Sequence, residues 1–180
     1  MIRLLHISDP HFGTEAAGVV GALVELGERA APQVILLSGD VTQRARRSQF
    51  EAAGAFIGRL SAPVVAVPGN HDIPLFNLLA RWRAPYANYC RIFGQVLEPV
   101  FETGDVLVIG VNSTRPARHK DGEVSAEQVA RVAQRLRRAA PRQLRVVMLH
   151  HPMRAWLPDD TTNVLHGHAA AAAAWVAAGA

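Results

Sequence analysis

Five short and largely apolar stretches constrain the fold of this chain more than any other feature. Each is four to six residues long, rich in Val, Ile and Leu, and followed by polar residues. Strands that are covered on both faces have this composition, whereas strands with one exposed face alternate between apolar and polar residues. The predicted strands span residues 2–7, 34–37, 64–67, 106–111 and 146–149.

Longer segments with helical spacing lie between these strands. Residues 14–30, 48–60 and 125–140 each place apolar side chains along one stripe. The last two begin at Ser48 and Ser125, each followed three residues later by the Glu or Gln of a capping box. Strands that alternate with helices predict a layered α/β fold.

Two further segments have a less regular pattern. Residues 74–100, which contain several aromatic and arginine residues, are predicted to form short helices that cover one side of the sheet. Residues 96–101 and 106–111 are predicted to pair as an antiparallel hairpin, because Gly104-Asp105 between them favours a tight turn.

Length and composition predict one domain spanning residues 1–180. The chain is 49% hydrophobic, which is enough for a substantial core. Its single cysteine excludes an intrachain disulfide and a cysteine-based zinc site. No apolar run is long enough to cross a membrane, and the N-terminal residues lack the pattern of a signal peptide, so a cytoplasmic location is expected. The net charge of +4 favours anionic partners only weakly.

Four of the predicted strands end in polar sequences of a particular kind. In open α/β sheets, ligands bind beyond the carboxyl ends of the strands, so these sequences are expected to converge on one crevice. They are Ser8-Asp9-Pro10-His11, Ser38-Gly39-Asp40, Pro68-Gly69-Asn70-His71-Asp72 and His150-His151-Pro152. Each of them is ordinary turn chemistry when taken alone, but four in order at strand ends indicate a common site.

The residue types in these sequences predict a site for two divalent metal ions. Carboxylate, imidazole and amide oxygen suit Mn, Fe, Zn or Mg better than copper. Asp9 and His11 project to one side of an extended segment and can hold one ion. Asp40 could bridge two ions, and Asn70 and His150 could hold the second. Such a pair of ions stabilises both the attacking and the leaving oxygen of a phosphoryl displacement.

In order and spacing, these sequences resemble the calcineurin-like metallophosphoesterases. The longer strings SGDVTQRA and VPGNHDIPL are most similar to bacterial phosphodiesterases of the cyclic-nucleotide type. The resemblance implies an α-β-β-α sandwich and a metal-bound hydroxide as the nucleophile. It also implies that the substrate is a small phosphodiester such as a cyclic nucleotide, although a phosphomonoesterase, a nuclease or a lipid-precursor pyrophosphatase would use the same ligands.

The resemblance also implies a role for each site residue. Asp9, His11 and Asp40 would hold the first metal, and Asp40, Asn70 and His150 would hold the second. His71 would protonate the leaving oxygen, while Asp72 would orient the His71 imidazole.

One motif of the family, Gly-His-x-His, has no counterpart here. The nearest string is His166-Gly167-His168-Ala169-Ala170, and residues 164–178 are instead predicted to form a helix. We therefore expect a chain that ends before the strand carrying that motif, with a metal site lacking two ligands. Apolar surface left uncovered would favour a homodimer. A catalytically impaired domain that binds metal or phosphate is the alternative to an active hydrolase.

The arginine-rich segments have two interpretations each. Four arginines spaced along residues 131–142 could bind nucleic acid, but a solvated helix face is favoured, so a nucleic-acid partner is not expected. A second group follows Asp40 and could equally contact a substrate phosphate or begin a helix. His151 could support a ligand or contact substrate. The first group is Arg131, Arg135, Arg138 and Arg142, and the second group is Arg44, Arg46 and Arg47.

Overall fold

The computed structural model describes residues 2–157 and 161–180 and contains two three-stranded sheets. In the first sheet, the strands β1, β2 and β3 are all parallel, with β2 in the centre. In the second sheet, β5 is central, pairs in parallel with β6 and is antiparallel to β4. The strand bounds are β1 Leu4–Ile7, β2 Val34–Ser38, β3 Val64–Val67, β4 Val100–Glu102, β5 Val106–Gly110 and β6 Leu144–Met148.

Of the six α-helices in the described residues, five cover the outer faces of the two sheets. The helices α1, α2 and α4 lie on the first sheet, and α5 and α6 lie on the second. Their bounds are α1 Ala17–Ala30, α2 Arg47–Ile57, α3 Leu78–Arg83, α4 Ala87–Phe93, α5 Ala126–Arg137 and α6 His168–Ala177. No helix of the described ranges is long and apolar enough to span a bilayer.

The central strand of each sheet has both faces buried, which explains its continuous apolar sequence. In β2, Ile35 and Leu37 pack against the helices, whereas alternate residues such as Leu36 face the second sheet. In β5, Leu107 packs under α5 and α6, while Val108 faces the first sheet. The layers are therefore helix, sheet, sheet, helix, which confirms the predicted α-β-β-α architecture.

The structure corrects the beginnings of two predicted helices. The helix α2 begins one residue earlier than predicted, because the side chain of Gln49 accepts a hydrogen bond from Arg46 N, and Ser48 is not its cap. The last helix begins at His168 rather than near residue 164, since the preceding backbone bonds elsewhere. His166 N donates to Gly122 O at 2.9 Å, and Gly167 takes a left-handed φ of 85° as N-cap.

The strand β6 lies at the edge of the second sheet. Its side chains and those of α6 border an apolar groove of about 1090 Å³. The hairpin predicted before β5 is present but short, because only Val100–Glu102 pairs with it.

Candidate metal centre

Three of the predicted ligands have a backbone conformation that residues other than glycine rarely adopt. The φ angles of Asp9, His11 and Asp40 are 54°, 45° and 47°. Each such residue costs about 1–3 kcal/mol and persists only where the surrounding structure enforces it. Here the loops after β1 and β2 support one another, because His11 N donates to Asp40 O at 3.1 Å and Asp9 N to Gly39 O at 3.3 Å. With this backbone the three side chains lie close together, since Nε2 of His11 is 3.9 Å from Asp9 and 3.8 Å from Asp40.

Two glycines allow these loops to approach their neighbours closely. A Cβ atom at Gly39, whose φ is 89°, would lie 2.6 Å from Nδ1 of His150. A Cβ atom at Gly69 would lie 2.1 Å from the backbone nitrogen of Asp40. Any larger residue at either position would separate Asp40 from the ligands of the neighbouring strands.

Asp40 is the centre of the cluster. Its side chain is 7% exposed and has no ion pair with Arg or Lys among the described residues. Three imidazole Nε2 atoms surround its carboxylate, those of His150 at 3.4 Å, His11 at 3.8 Å and His71 at 4.0 Å. Burying a carboxylate without a compensating cation is costly, so this arrangement favours a bound metal ion.

His150 presents a free lone pair to the cluster. Its Nδ1 lies 2.9 Å from Ser38 O, and because a carbonyl only accepts, Nδ1 carries a proton, which leaves Nε2 as the atom that can bind a metal ion. The Nε2 lone pair then lies 3.2 Å from Asn70 Oδ1 and 3.4 Å from Asp40 Oδ1. These three atoms lie close enough together to share a cation, and Asp40 Oδ1 also accepts a hydrogen bond from His71 N at 2.8 Å. Two donors bound to one ion lie roughly 3–3.5 Å apart, so the separations fit.

The donor atoms form two groups that share Asp40. One group contains His11, Asp40 and His71, and the other contains Asp9, Asp40 and His150. Asp40 is common to both groups, and its bridging of two ions stays a prediction. The grouping of Asp9 differs from the prediction, although its Oδ1 also lies 3.9 Å from Nε2 of His11, between the two groups. Asn70 adds its amide oxygen beside His150.

His71 belongs to the first group, and its Nε2 can serve either as a metal ligand or, when protonated, as an acid, but not as both at once. Its Nδ1 lies 3.0 Å from Gln43 O, which fixes the ring and directs Nε2 toward Asp40. The expectation that Asp72 orients this imidazole is wrong, because Nδ1 of the ring contacts Gln43 O and not the Asp72 carboxylate. Gln43 had no signal in the sequence, since its carbonyl rather than its side chain makes the contact.

Asp72 instead joins the loops after β2 and β3. Its buried carboxylate accepts hydrogen bonds from Val41 N at 3.1 Å, Thr42 N at 2.8 Å and Gly69 N at 2.9 Å, and also from the Thr42 hydroxyl. Burial raises the pKa of Asp72 to about 6, although these hydrogen bonds oppose that change. Asp72 thus acts as a structural clasp beneath the cluster.

A second clasp lies on the other side of the crevice. His151 is 3% exposed, and its ring contacts Ser113 Oγ at 2.8 Å and Lys120 O at 2.9 Å. Burial lowers the pKa of His151 to about 4, so the ring is neutral. This clasp holds Lys120 at the crevice, which Asn163 also lines, and the sequence did not identify either of them. The crevice encloses about 420 Å³ and is lined by Asp9, Asp40, Asn70, His71, Lys120, His150, His151, Pro152 and Asn163.

The other histidines and arginines lie outside the cluster. His166 pairs with Asp121 at 3.7 Å, and neither His166 nor His168 belongs to the donor groups. Arg131 and Arg135 of α5 pair with Glu98 and Glu102, respectively, which supports the interpretation of a solvated helix face.

Comparison with known proteins identifies the class to which this fold and site belong. The sequence model of the calcineurin-like phosphoesterases matches residues 2–176. The chain therefore belongs to the calcineurin-like phosphoesterase family, as the sequence motifs predicted.

Relatives and solved structures agree with this assignment. A probable cyclic nucleotide phosphodiesterase of Synechococcus sp. is 30% identical over 76% of this chain and 48% of its own length. The glycerophosphodiester phosphodiesterase GpdQ of Enterobacter lignolyticus is 34% identical over 38% of this chain and 29% of its own length. The matched segments thus span less than half of each relative.

Two solved structures share the fold. A dimetal phosphatase from Danio rerio superposes with a TM-score of 0.66 at 13% identity, covering 96% of this chain and 76% of that one. A purple acid phosphatase from yellow lupin (Lupinus luteus) seeds has a TM-score of 0.62 at 12% identity, covering 85% of this chain and 31% of that one.

Proposed function

We propose that this protein hydrolyses phosphoric esters with two divalent cations, and that its substrate is a small phosphodiester such as a cyclic nucleotide. The observation that carries the proposal is the convergence of Asn70 Oδ1 and Asp40 Oδ1 on His150 Nε2, at 3.2 and 3.4 Å from that ring nitrogen. Held there and by His11 and Asp40, divalent cations would supply charge stabilisation and activation of water, which leaves Nε2 of His71 free to carry a proton.

The residues of the chain would divide the remaining work. Asp40, shared by both groups, would hold the two cations at a fixed separation. His71, whose Nδ1 is held by Gln43 O, would in its protonated form direct an Nε2 proton toward the leaving oxygen. The clasp of Asp72 would keep the loops that carry Asp40 and His71 at a constant distance.

The preference for a diester is supported by the names of the relatives. One is a probable cyclic nucleotide phosphodiesterase and the other acts on glycerophosphodiesters. Both names belong to proteins of which this chain matches less than half, so the choice of substrate is part of the proposal. A monoesterase or a nuclease would use the same ligands, so the substrates that are hydrolysed must distinguish these activities from that of a diesterase.

The test is hydrolysis of bis(4-nitrophenyl) phosphate with Mn²⁺ added, compared with 4-nitrophenyl phosphate, cyclic AMP and an EDTA-treated sample. Asp40→Asn removes the shared carboxylate while keeping its size. Asp105→Asn makes the same chemical change in the exposed hairpin turn before β5 and is the matched control. We expect the diesters to be hydrolysed by the wild type and by Asp105→Asn, and not by Asp40→Asn or in EDTA.

Other outcomes would replace the proposal with a defined alternative. Faster hydrolysis of the monoester would make the protein a phosphomonoesterase. Binding of Mn²⁺ in calorimetry without turnover of any ester would identify the catalytically impaired domain. Titration with Mn²⁺, Fe²⁺, Zn²⁺ and Mg²⁺ would rank the cations that this donor set accepts.

The homodimer stays a prediction. The apolar groove between β6 and α6 is a surface that a second copy could cover. Light scattering coupled to size exclusion would test it directly.

A further inference from the structure

Lys120 is unusual in both the sequence and the structure. It is the only lysine among the 19 basic residues, and every other one is an arginine. It lies in the loop between β5 and α5, is exposed, and lines the crevice that holds Asp40 and His150. Its ammonium group has no ion pair or hydrogen bond with residues 2–157 or 161–180.

The arginines near Lys120 are already engaged. Arg115 donates to Gln128 Oε1 at 2.5 Å, and Arg118 donates to Glu123 Oε2 at 3.0 Å. Arg81, from α3, donates to the carbonyls of Pro116 and Arg118 in the same loop at 2.6 and 2.7 Å. These three guanidinium groups fix the shape of the loop, which leaves Lys120 as its available cation.

His151 fixes the backbone of Lys120 relative to the donor groups around Asp40. Because Lys120 O can only accept, Nε2 of His151 donates to it at 2.9 Å, and Nδ1 accepts from the hydroxyl of Ser113 at 2.8 Å. A Cβ atom at Gly122 would lie 2.3 Å from this ring, so the loop packs directly on it. His151 follows His150 in the chain, and the hydrogen bond therefore couples the position of the loop to that of the ligand.

We propose that Lys120 binds a non-bridging phosphate oxygen of the substrate, and that His151 is the positioning residue that holds it over the crevice. This inference rests on the proposed function for the identity of the substrate. An ammonium is a compact charge that binds phosphate without the planar geometry of a guanidinium. Across a crevice lined by two aspartates, such a group compensates the negative charge that a phosphodiester brings.

The single lysine permits a test that does not depend on turnover. Reductive methylation with ¹³C-formaldehyde keeps the charge of the amine and labels only Lys120 and the N-terminal amine. Lys120→Arg removes one of the two signals and so assigns them. With Mn²⁺ replaced by diamagnetic Zn²⁺ or Mg²⁺, inorganic phosphate is titrated into the loaded protein. We expect the Lys120 signal to shift with saturation; binding of phosphate in calorimetry without that shift would overturn the proposal.

Kinetics test the same residue during hydrolysis of bis(4-nitrophenyl) phosphate. We expect Lys120→Gln to raise KM and the inhibition constant of phosphate about tenfold, with kcat changed less than about threefold. Arg142→Gln removes one positive charge before β6, at the opposite end of that strand from the crevice, and should leave both constants unchanged. Equal effects of the two substitutions would show that Lys120 acts only through its positive charge at long range, which would overturn its role in binding the phosphate.

The role of His151 is separated from simple packing by two variants. His151→Gln can still donate to Lys120 O and should keep KM near that of the wild type. His151→Asn is too short to do so and should raise KM as Lys120→Gln does, and the double variant should add nothing further. Multiplied effects in the double variant would refute positioning through Lys120. If the wild type hydrolyses nothing but the Lys120 signal shifts with phosphate, the proposed function fails and the phosphate site stands.

Discussion

The two sheets contribute unequally to the candidate metal centre. The first sheet supplies Asp9 and His11 after β1, Asp40 after β2, and Asn70 and His71 after β3. The second supplies only His150, after β6. The two have similar sizes and both bury their central strand completely, so the difference does not come from packing.

Strand direction explains the difference. In the first sheet all three strands run in parallel, so all three carboxyl ends meet at the crevice. In the second sheet β4 runs antiparallel to β5, and its carboxyl end faces the opposite edge. Only β5 and β6 remain, and the loop after β5 brings Lys120 rather than a ligand. The first sheet thus supplies all but one of the candidate ligands, and the second sheet supplies only His150.

The largest expected effect compares one ligand from each sheet. Asp40→Asn should lower kcat/KM for bis(4-nitrophenyl) phosphate by roughly 10³-fold, because it weakens both cation positions. His150→Asn keeps a donor for Ser38 O and loses only the Nε2 ligand, so we expect a loss of about 10²-fold. Steady-state kinetics at saturating Mn²⁺ measure both. Equal losses would show that the second sheet is as central to the site as the first.

The contribution of the first sheet could be predicted from sequence because it is local. Each ligand there lies within four residues of the end of an apolar strand, as Asp9 and Asp40 do, and the strands are consecutive in the chain. The extended segment predicted for Asp9 and His11 is wrong, because both have a left-handed backbone, but their position after the strand was enough to find them. The four-layer order was equally accessible, since continuous apolar strands require cover on both faces.

The contacts that the sequence could not predict are between loops and backbone atoms. Gln43 O orients His71, and Lys120 O accepts from His151, and neither contact uses a recognisable side-chain pattern. The role of Asp72 was misassigned for the same reason, because its partners are mostly backbone N–H groups from the loop after β2. The uniqueness of Lys120 was the one signal that could have marked it.

The second expected effect concerns the stability that cations give to the folded chain. A cation that binds only the folded state raises the free energy of unfolding by about 2.7 kcal/mol when its free concentration is 100 times its dissociation constant. For a chain of this length, Mn²⁺ should then raise the melting temperature by roughly 5–10 °C. Calorimetric melting with Mn²⁺ and with EDTA measures it. The rise should vanish in Asp40→Asn and persist in part in His150→Asn; the reverse order would contradict the division between the sheets.

A third effect tests the contact between the sheets at Gly39. Gly39→Ala places a Cβ atom against the His150 ring at a backbone with φ of 89°, so His150 should move away from Asp40. We expect the affinity for Mn²⁺ to fall about 10–100-fold. Gly94→Ala introduces the same change at a similar backbone, with φ of 81°, but has open space around the added methyl group, and is the matched control. Calorimetric titration that gives equal affinities for the two variants would show that His150 does not depend on this close approach.

The smallest effect is expected on the outer face of the second sheet, far from the strand ends. Arg131 and Arg135 of α5 pair with Glu98 and Glu102, and the arginine side chains are 49% and 38% exposed. Exposed pairs contribute about 0.2–1 kcal/mol, so Arg131→Ala and Arg135→Ala should each lower the free energy of unfolding by less than about 1 kcal/mol. Urea denaturation measures the loss, and ester hydrolysis should not change. If either variant also abolished salt-sensitive binding of labelled DNA in fluorescence anisotropy, the helix would be a nucleic-acid surface and not merely a solvated face.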